Sequence, residues 1–326
     1  MLMNEIEDPA ATVARLLRTN LCVIKDNETI ANVNVTNEWQ SNEALRGYDG
    51  QITVSVAESL DQKLELNGKM RKRVCNLRVS AWASEQLNSS ESARIMRGKI
   101  VEEINRVIRQ NRSCPNQTSY SFYNTGPLSQ TQKVYQCISE EPPKATQWIE
   151  LSGSAYEQLW KSDDNRHQVN ATELGNCAAL LFGFKLESRK NTNQIISFLF
   201  EGYGTAPLGN GVTIKAWNKT NCVWDNAQSG SFAGIDEVIT LTLLQNLTDY
   251  VDKDGYVWFL ARTFEASDGI TPAILKCDYI RCAVTVRGIT YCDVLGYRDA
   301  DRVDVKPFIF RTEFTVKSWF FENIGV

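Results

Sequence analysis

The residues able to do chemistry are few and scattered. The one histidine, His167, lies in Ser162-Asp-Asp-Asn-Arg-His-Gln168, a polar loop where a solvated imidazole is the plain reading. A Ser-His-Asp set therefore has no second histidine to draw on. No His pair stands at i,i+4 for a metal, and no glycine-rich phosphate loop precedes a helix. Gly202-Tyr-Gly204 and Gly209-Asn-Gly211 read as turns. The expectation is a protein that is not an enzyme and holds no metal or cofactor. Asp249, Asp252 and Asp254 offer oxygen ligands suited to calcium, but they lack a following Glu at the loop spacing calcium sites use, and Asp254-Gly255 is a common hairpin turn.

Two residue sets are suited to binding. Tyr203, Trp217, Trp224 and Tyr250 are candidate glycan contacts, because aromatic faces stack on the C–H faces of sugar rings; the competing reading places them in a core. Lys63, Lys69, Arg71, Lys72 and Arg73, with Arg97 and Arg109 further on, are candidate partner-binding cations, against the reading of an ordinary solvated face. A net charge of −4 argues against phosphate neutralisation as the main task, so no direct sequence-specific nucleic-acid binding is expected. Nine cysteines, an odd number without a Cys-x-x-Cys pair, read mostly as buried thiols. Cys277 and Cys282, five apart, would point to opposite faces of one continuous strand.

The elements that must position these residues fall into two patterns. With 326 residues, 43% hydrophobic and 23% charged, the chain suits two globular domains, and no apolar run is long enough to cross a bilayer. The acidic N-terminus predicts no cleavable signal and folding in a cytoplasm. Asp8-Pro9 predicts a capped helix to about Thr19, with Val13, Leu16 and Leu17 on one face and Arg15 and Arg18 outside it. Strands are expected at 31–38, 51–58 and 75–84, with 59–73 as a long, mobile hairpin arm. Ser89 or Ser90 can cap a second helix at about 92–111, in which Met96, Ile100, Ile104 and Val107 form one stripe and Arg97 and Arg109 lie opposite. Residues 118–123 are a fourth strand candidate.

From about 145 to 287 only short strand-like runs occur, separated by polar or Gly-rich turns, which predicts a two-sheet jelly roll. Alternation then returns strongly at Phe308, Phe310, Thr312, Phe314 and Val316. That last strand has few partners nearby in sequence, so it is assigned to the N-terminal sheet. The expected class is α+β: an antiparallel sheet flanked by two helices, built from 1–144 and 288–326, interrupted by an inserted β-sandwich at 145–287.

The element order, the Asp61-Gln-Lys-Leu-Glu-Leu-Asn-Gly-Lys-Met-Arg-Lys-Arg-Val74 stretch and the closing Lys306-Pro-Phe-Ile-Phe-Arg-Thr-Glu-Phe-Thr-Val316 strand resemble the tail terminator and tail completion proteins in the neck of tailed viruses, most closely archaeal ones. That resemblance covers about 1–125 and 289–326. It implies a virion structural protein, assembled in the host cytoplasm, forming a hexameric ring that caps the tail tube, with the tail tube protein and a head-completion connector as partners and no membrane. The late strands of the insertion resemble carbohydrate-binding jelly rolls. They imply an outward decoration or, as the alternative function, recognition of a host-surface glycan.

Overall fold

Residues 5–37, 47–64, 70–84, 92–301 and 309–323 are described by the computed structural model of this chain. In chain order the elements are α1 (Pro9–Asn20), β1 (Val33–Thr36), β2 (Gly50–Lys63), β3 (Met70–Ser84), α2 (Ala93–Gln110), β4 (Gln117–Tyr120), β5 (Gln132–Cys137), β6 (Ile149–Glu150), α3 (Gly153–Glu157), β7 (His167–Ala171), β8 (Ala179–Lys185), β9 (Asn193–Thr205), β10 (Val212–Asn218), β11 (Val223–Gly230), β12 (Glu237–Leu243), β13 (Tyr256–Thr263), β14 (Ala273–Val286), β15 (Tyr291–Asp299) and β16 (Ile309–Asn323).

Strands hold 48% of the chain and helices 14%, in three sheets, so the protein is mostly β and the expected α+β class is corrected. Amphipathic periodicity makes the two helices prominent in the sequence, whereas alternation does not show how far a strand runs, and β3 and β16 run for 15 residues each. The described residues divide into two units: one from Glu5–Thr118 and the residues from Val286 on, and one from Ser119–Thr285.

In the first unit the sheet order is β1-β2-β3-β16-β15. The sheet is mixed rather than antiparallel throughout, because β1 runs parallel to β2. β16 pairs with β3 from Ile309↔Ser84 to Asn323↔Met70, so the last strand completes the N-terminal sheet. α1 and α2 cover one face. Val13, Leu16 and Leu17 of α1 and Met96, Ile100, Ile104 and Val107 of α2 join Ile52, Val54, Leu77, Val79, Phe314 and Val316 in one buried cluster. Burying each large aliphatic side chain there contributes about 1.5–3 kcal/mol. Gly50 permits the close approach of α2, since a Cβ there would lie 2.4 Å from Ile100 Cδ1. Asp8 caps α1 through Ala10 N at 3.4 Å, and the cap of α2 is Ser92, which accepts from Ile95 N at 3.4 Å.

The mobile-arm expectation for 59–73 is also corrected. Ser59–Lys63 and Met70–Arg73 are regular strand, and β16 backs them to form a three-stranded extension. Residues 65–69 lie outside the described residues.

Arg15 does not fall outside the packed face; it is 2% exposed. Its guanidinium meets Glu7 at 2.6 Å and donates to Thr118, while Thr12 Oγ1 donates to Glu7 at 2.7 Å. Beside this network the chain leaves and re-enters the unit. Asn116 Nδ2 donates to Val286 O at 2.8 Å, Val286 N to Asn116 O at 3.0 Å and Glu7 N to Arg287 O at 2.7 Å. The two crossing segments are thus adjacent and fastened.

In the second unit two sheets, ordered β11-β10-β13-β8-β5-β6 and β12-β9-β14-β4, form a sandwich, with β7 also paired to β14. Alternation sends Phe182 and Phe184 of β8, Phe198 and Phe200 of β9 and Phe259 of β13 inward, and Phe198 stacks on Phe259 at 4.4 Å. β4 belongs to this sandwich rather than to the helix-covered sheet, and β5, β7 and β11 were not foreseen. The unit begins at Ser119, well before residue 145. Cys277 and Cys282 are both fully buried free thiols, because the burial alternation slips by one at Cys277-Asp278.

Arg15→Ala is expected to strand the buried Glu7 carboxylate and cost about 3 kcal/mol. Urea unfolding of the full chain checks this, and an unchanged midpoint would contradict it.

Candidate functional site

A cleft of about 480 Å³ opens in the sandwich where the edges of its two sheets part. β6, only two residues long, ends the six-stranded sheet, and β7 lies on the opposite sheet against β14. Along β5, Val134 faces the core and Gln136, two residues on, reaches the cleft. Gln136 stands opposite Ile149 of β6 and Leu180 of β8. β7 supplies Val169 and Asn170, and Ser139, Gln147 and Asn176 complete the polar lining.

Backbone bonds set this frame. Cys177 N donates to Ile138 O at 3.1 Å, Leu151 N to Val134 O at 3.1 Å and Ser267 N to Asn176 O at 2.9 Å. Tyr156 bridges the wall, accepting from Val134 N at 3.1 Å and donating to Glu150 at 3.2 Å. Asn170 Oδ1 accepts from Gln168 at 2.9 Å and Asn176 Nδ2 donates to Glu173 at 3.1 Å, which leaves the other half of each amide for a ligand. No side-chain hydrogen bond engages the Gln136 amide among the described residues. The lining carries no formally charged side chain, and Ile138 and Ile149 add an apolar wall that is 42% and 63% exposed. Neutral donors and acceptors beside apolar surface suit a hydroxyl-rich, uncharged ligand.

The four aromatic residues expected to form a platform do not all come together. Trp217 and Trp224 meet edge to face at 5.1 Å on the outer face of the six-stranded sheet. Tyr250 is buried and takes a hydrogen bond from Asn226. Tyr203 lies on β9 in the other sheet, beneath Arg166 at 5.7 Å and Lys276 at 5.4 Å.

The outer face that holds the two tryptophans continues through Trp258, stacked on Tyr256 at 5.3 Å and lying over Gly183, where a Cβ would meet its ring at 2.5 Å. Residues 138–148 cross this face as a strap. Trp224 Nε1 donates to Glu141 O at 3.2 Å and Trp148 Nε1 to Pro142 O at 3.0 Å. Glu140 receives Lys215 at 2.8 Å and the Arg262 guanidinium. Burial pushes the Glu140 carboxyl upward, but the hydrogen bond from Lys215 and the charge of Arg262 outweigh it and hold the carboxyl below its ordinary value. Lys144 Nζ meets Asp252 at 3.2 Å and Asp254 at 2.9 Å, while Asp249 accepts from Thr220 at 2.9 Å, so these three aspartates serve turns and the strap.

His167 is not a solvated loop residue. It opens β7 opposite Cys277, half-buried, and burial lowers its imidazole below the usual value. Nearby Asp164, Asp236 and Asp278 bring carboxylates within 4.8 Å of one another, and the Arg166 guanidinium binds Asp164 and Asp236 directly. Among the candidate partner-binding cations, Arg71 and Arg73 both pair with Asp61, at 3.7 and 2.7 Å, and Lys72 lies 4.5 Å over Trp319. Lys63 is exposed at the end of β2 and Arg109 in the last turn of α2. Arg97 is 8% exposed and bound to Asp301 at 2.6 Å and Asp299 at 3.3 Å, which corrects its outward placement. Lys69 lies outside the described residues.

Residues 129–286 match the sequence profile of the AF_1625_C family, described as an uncharacterized protein's C-terminal domain. No curated protein matches the chain at a significant level. Among solved structures, the xylan-binding module CBM15 aligns at 11% identity and a TM-score of 0.29, covering 53% of this chain and 99% of that one. Winged bean acidic lectin complexed with methyl-α-D-galactose aligns at 10% and 0.28, covering 52% and 99%. The enzymatically active domain of bacteriophage CBA120 tailspike protein 4 aligns at 8% and 0.23, covering 52% of this chain but only 19% of that one. These likenesses are too slight to carry a functional argument. None of the findings supports a virion neck, a ring of copies, or contacts with tail and connector proteins. No helix among the described residues is long and apolar enough to cross a membrane.

The depressed Glu140 carboxyl gives the strap stability that is present above the ordinary carboxylate range and is lost as pH falls through the lower folded value. Tryptophan fluorescence of the full chain should therefore report loosening of the strap in acid. Glu140→Gln, which loses charge-assisted bonds each contributing about 1–3 kcal/mol, should show the loosened spectrum at neutral pH. Identical spectra for the two proteins at neutral pH, or a wild-type spectrum that does not approach the variant's in acid, would contradict the latch.

Proposed function

We propose that this protein is a carbohydrate-recognition protein that binds an uncharged saccharide in the cleft between the sheet edges of its sandwich. The observation that carries the reading is the lining itself: amides and a hydroxyl at Gln136, Gln147, Asn170, Asn176 and Ser139, beside apolar Ile138, Ile149 and Val169, with no charged side chain. Sugars alternate hydroxyls with C–H surface, and an amide can donate to one hydroxyl while accepting from another. An anionic ligand would find no cation in this lining. In this reading the protein binds without catalysing. The Ser139 hydroxyl is held by the Glu141 carboxylate at 3.0 Å, and His167 stands on β7 opposite Cys277. Gln136 and Asn170 stand on strands held by backbone bonds, so ordering them costs little on binding.

Screening the full chain against an array of neutral and acidic glycans tests the proposal. Selective retention of neutral oligosaccharides is expected. Gln136→Ala and Asn170→Ala should each weaken it about tenfold, and Trp217→Ala should leave it nearly unchanged. Binding abolished by Trp217→Ala and indifferent to Gln136→Ala would move the site to the outer face. Absence of binding to every neutral glycan would overturn the reading.

A further inference from the structure

The helix-covered sheet has one long side of a strand without a neighbour. β1 borders β2 only from Val33↔Gly50 to Thr36↔Thr53. Beyond Thr53 no strand among the described residues flanks that side of β2, although its other side stays paired to β3 as far as Lys63↔Arg71. Every residue from Ser55 to Lys63 is exposed. Such a stretch presents a row of open N–H and C=O groups, for which the fitting partner is another extended strand.

This edge is a prepared template. β3 and β16 back it to the tip, and Asp61 is bound by Arg73 at 2.7 Å across the hairpin, which turns its charge inward along the sheet. Arg73 also reaches Glu322 of β16 at 3.4 Å. On the face away from the helices, Leu60 stands opposite Val74, Val74 opposite Trp319, and Trp319 opposite Tyr291. Trp319 and Tyr291 stack at 3.9 Å. This apolar row crosses four strands and ends at the open edge with Leu60, which is 53% exposed. Some edges are blunted by a bulge, and β2 has one between Val56 and Glu58. The run from Glu58 to Lys63 beyond it is regular.

We infer that this edge pairs antiparallel with the same edge of a second copy, Leu60 opposite Leu60. Residues opposite each other in an antiparallel pair share a face, so a two-fold axis normal to the sheet must pass beside one residue and its own counterpart. Centring on Glu58 or on Asp61 opposes like carboxylates, which is destabilising, and centring on Gln62 runs off the end of β2 at Lys63, pairing only residues 61–63 of the strand. Centring on Ser59 sets Glu58 against Leu60. Centring on Leu60 sets Leu against Leu, Glu58 against Gln62 and Ser59 against Asp61. The row Tyr291, Trp319, Val74, Leu60 then runs unbroken into its copy. The inference concerns the helix-covered unit and is independent of the saccharide reading.

Sedimentation equilibrium of the full chain tests it. The wild-type protein is expected to be dimeric at concentrations on the order of 0.1 mM. Leu60→Lys, which sets two ammonium groups face to face and removes the apolar contact, should weaken the dimer about tenfold or more. Far-UV circular dichroism should stay unchanged, because Leu60 is exposed. Mixing Leu60→Lys with Leu60→Glu should restore a dimer of one copy of each, which happens only if position 60 opposes itself. A wild-type monomer, an assembly indifferent to Leu60→Lys, or failure of the mixed pair to associate would overturn the inference. The last readout decides even if one variant alone folds poorly.

Discussion

The rest of the structure depends on a seam where the chain leaves the helix-covered sheet and comes back to it. Asn116 and Val286 hydrogen-bond each other twice, and Glu7 beside them ties Arg287 while neutralising the buried Arg15. Long loops cost little to close when their ends are already held together. With the two strands of chain fixed side by side, β16 can reach β3 and pair along its full length, and that pairing brings Phe314 and Val316 into the core under α1 and α2. The sandwich between the crossing points folds around its own phenylalanine core.

β6 is two residues long and β7 crosses to the other sheet, so the core ends in a cleft instead of a filled edge. The side chains left there are amides, which tolerate partial solvation without the desolvation cost of charges. The aromatic surface of the same unit is dealt with differently. A strap pinned by Glu140 and Lys144 covers Tyr256 and Trp258, which are 6% and 3% exposed. On the outer face Trp224 and Trp148 are held by the strap through hydrogen bonds to Glu141 and Pro142.

Much of the framework was legible in the sequence, and its failures share a cause. Period-two alternation in Phe310–Val316 and period-3.6 spacing in Met96–Val107 report local geometry, and both elements form where that spacing puts them. The fold class was misjudged because alternation does not measure how far a strand runs. The polar stretch at 59–73 looks like a loop until β16, more than two hundred residues later, supplies its partner. Arg15 and Arg97 were placed outward because a charge usually is; each is instead buried against carboxylates distant in sequence or outside its helix. The cleft was invisible for a related reason. Gln136, Asn170 and Asn176 are common residues without a characteristic spacing, and only the parting of two sheet edges brings them together. An amide left without a side-chain partner is a signal that sequence alone does not carry.

Saccharide recognition at the cleft is tested most directly by hydrogen–deuterium exchange of the full chain, with and without a neutral oligosaccharide. Binding there predicts slower exchange confined to the end of β5, to β6, to β7 and to the β7–β8 connection around Asn176. Slowing on β10 and β11 around Trp217 and Trp224 alone, with the β5 and β7 peptides unchanged, would contradict it.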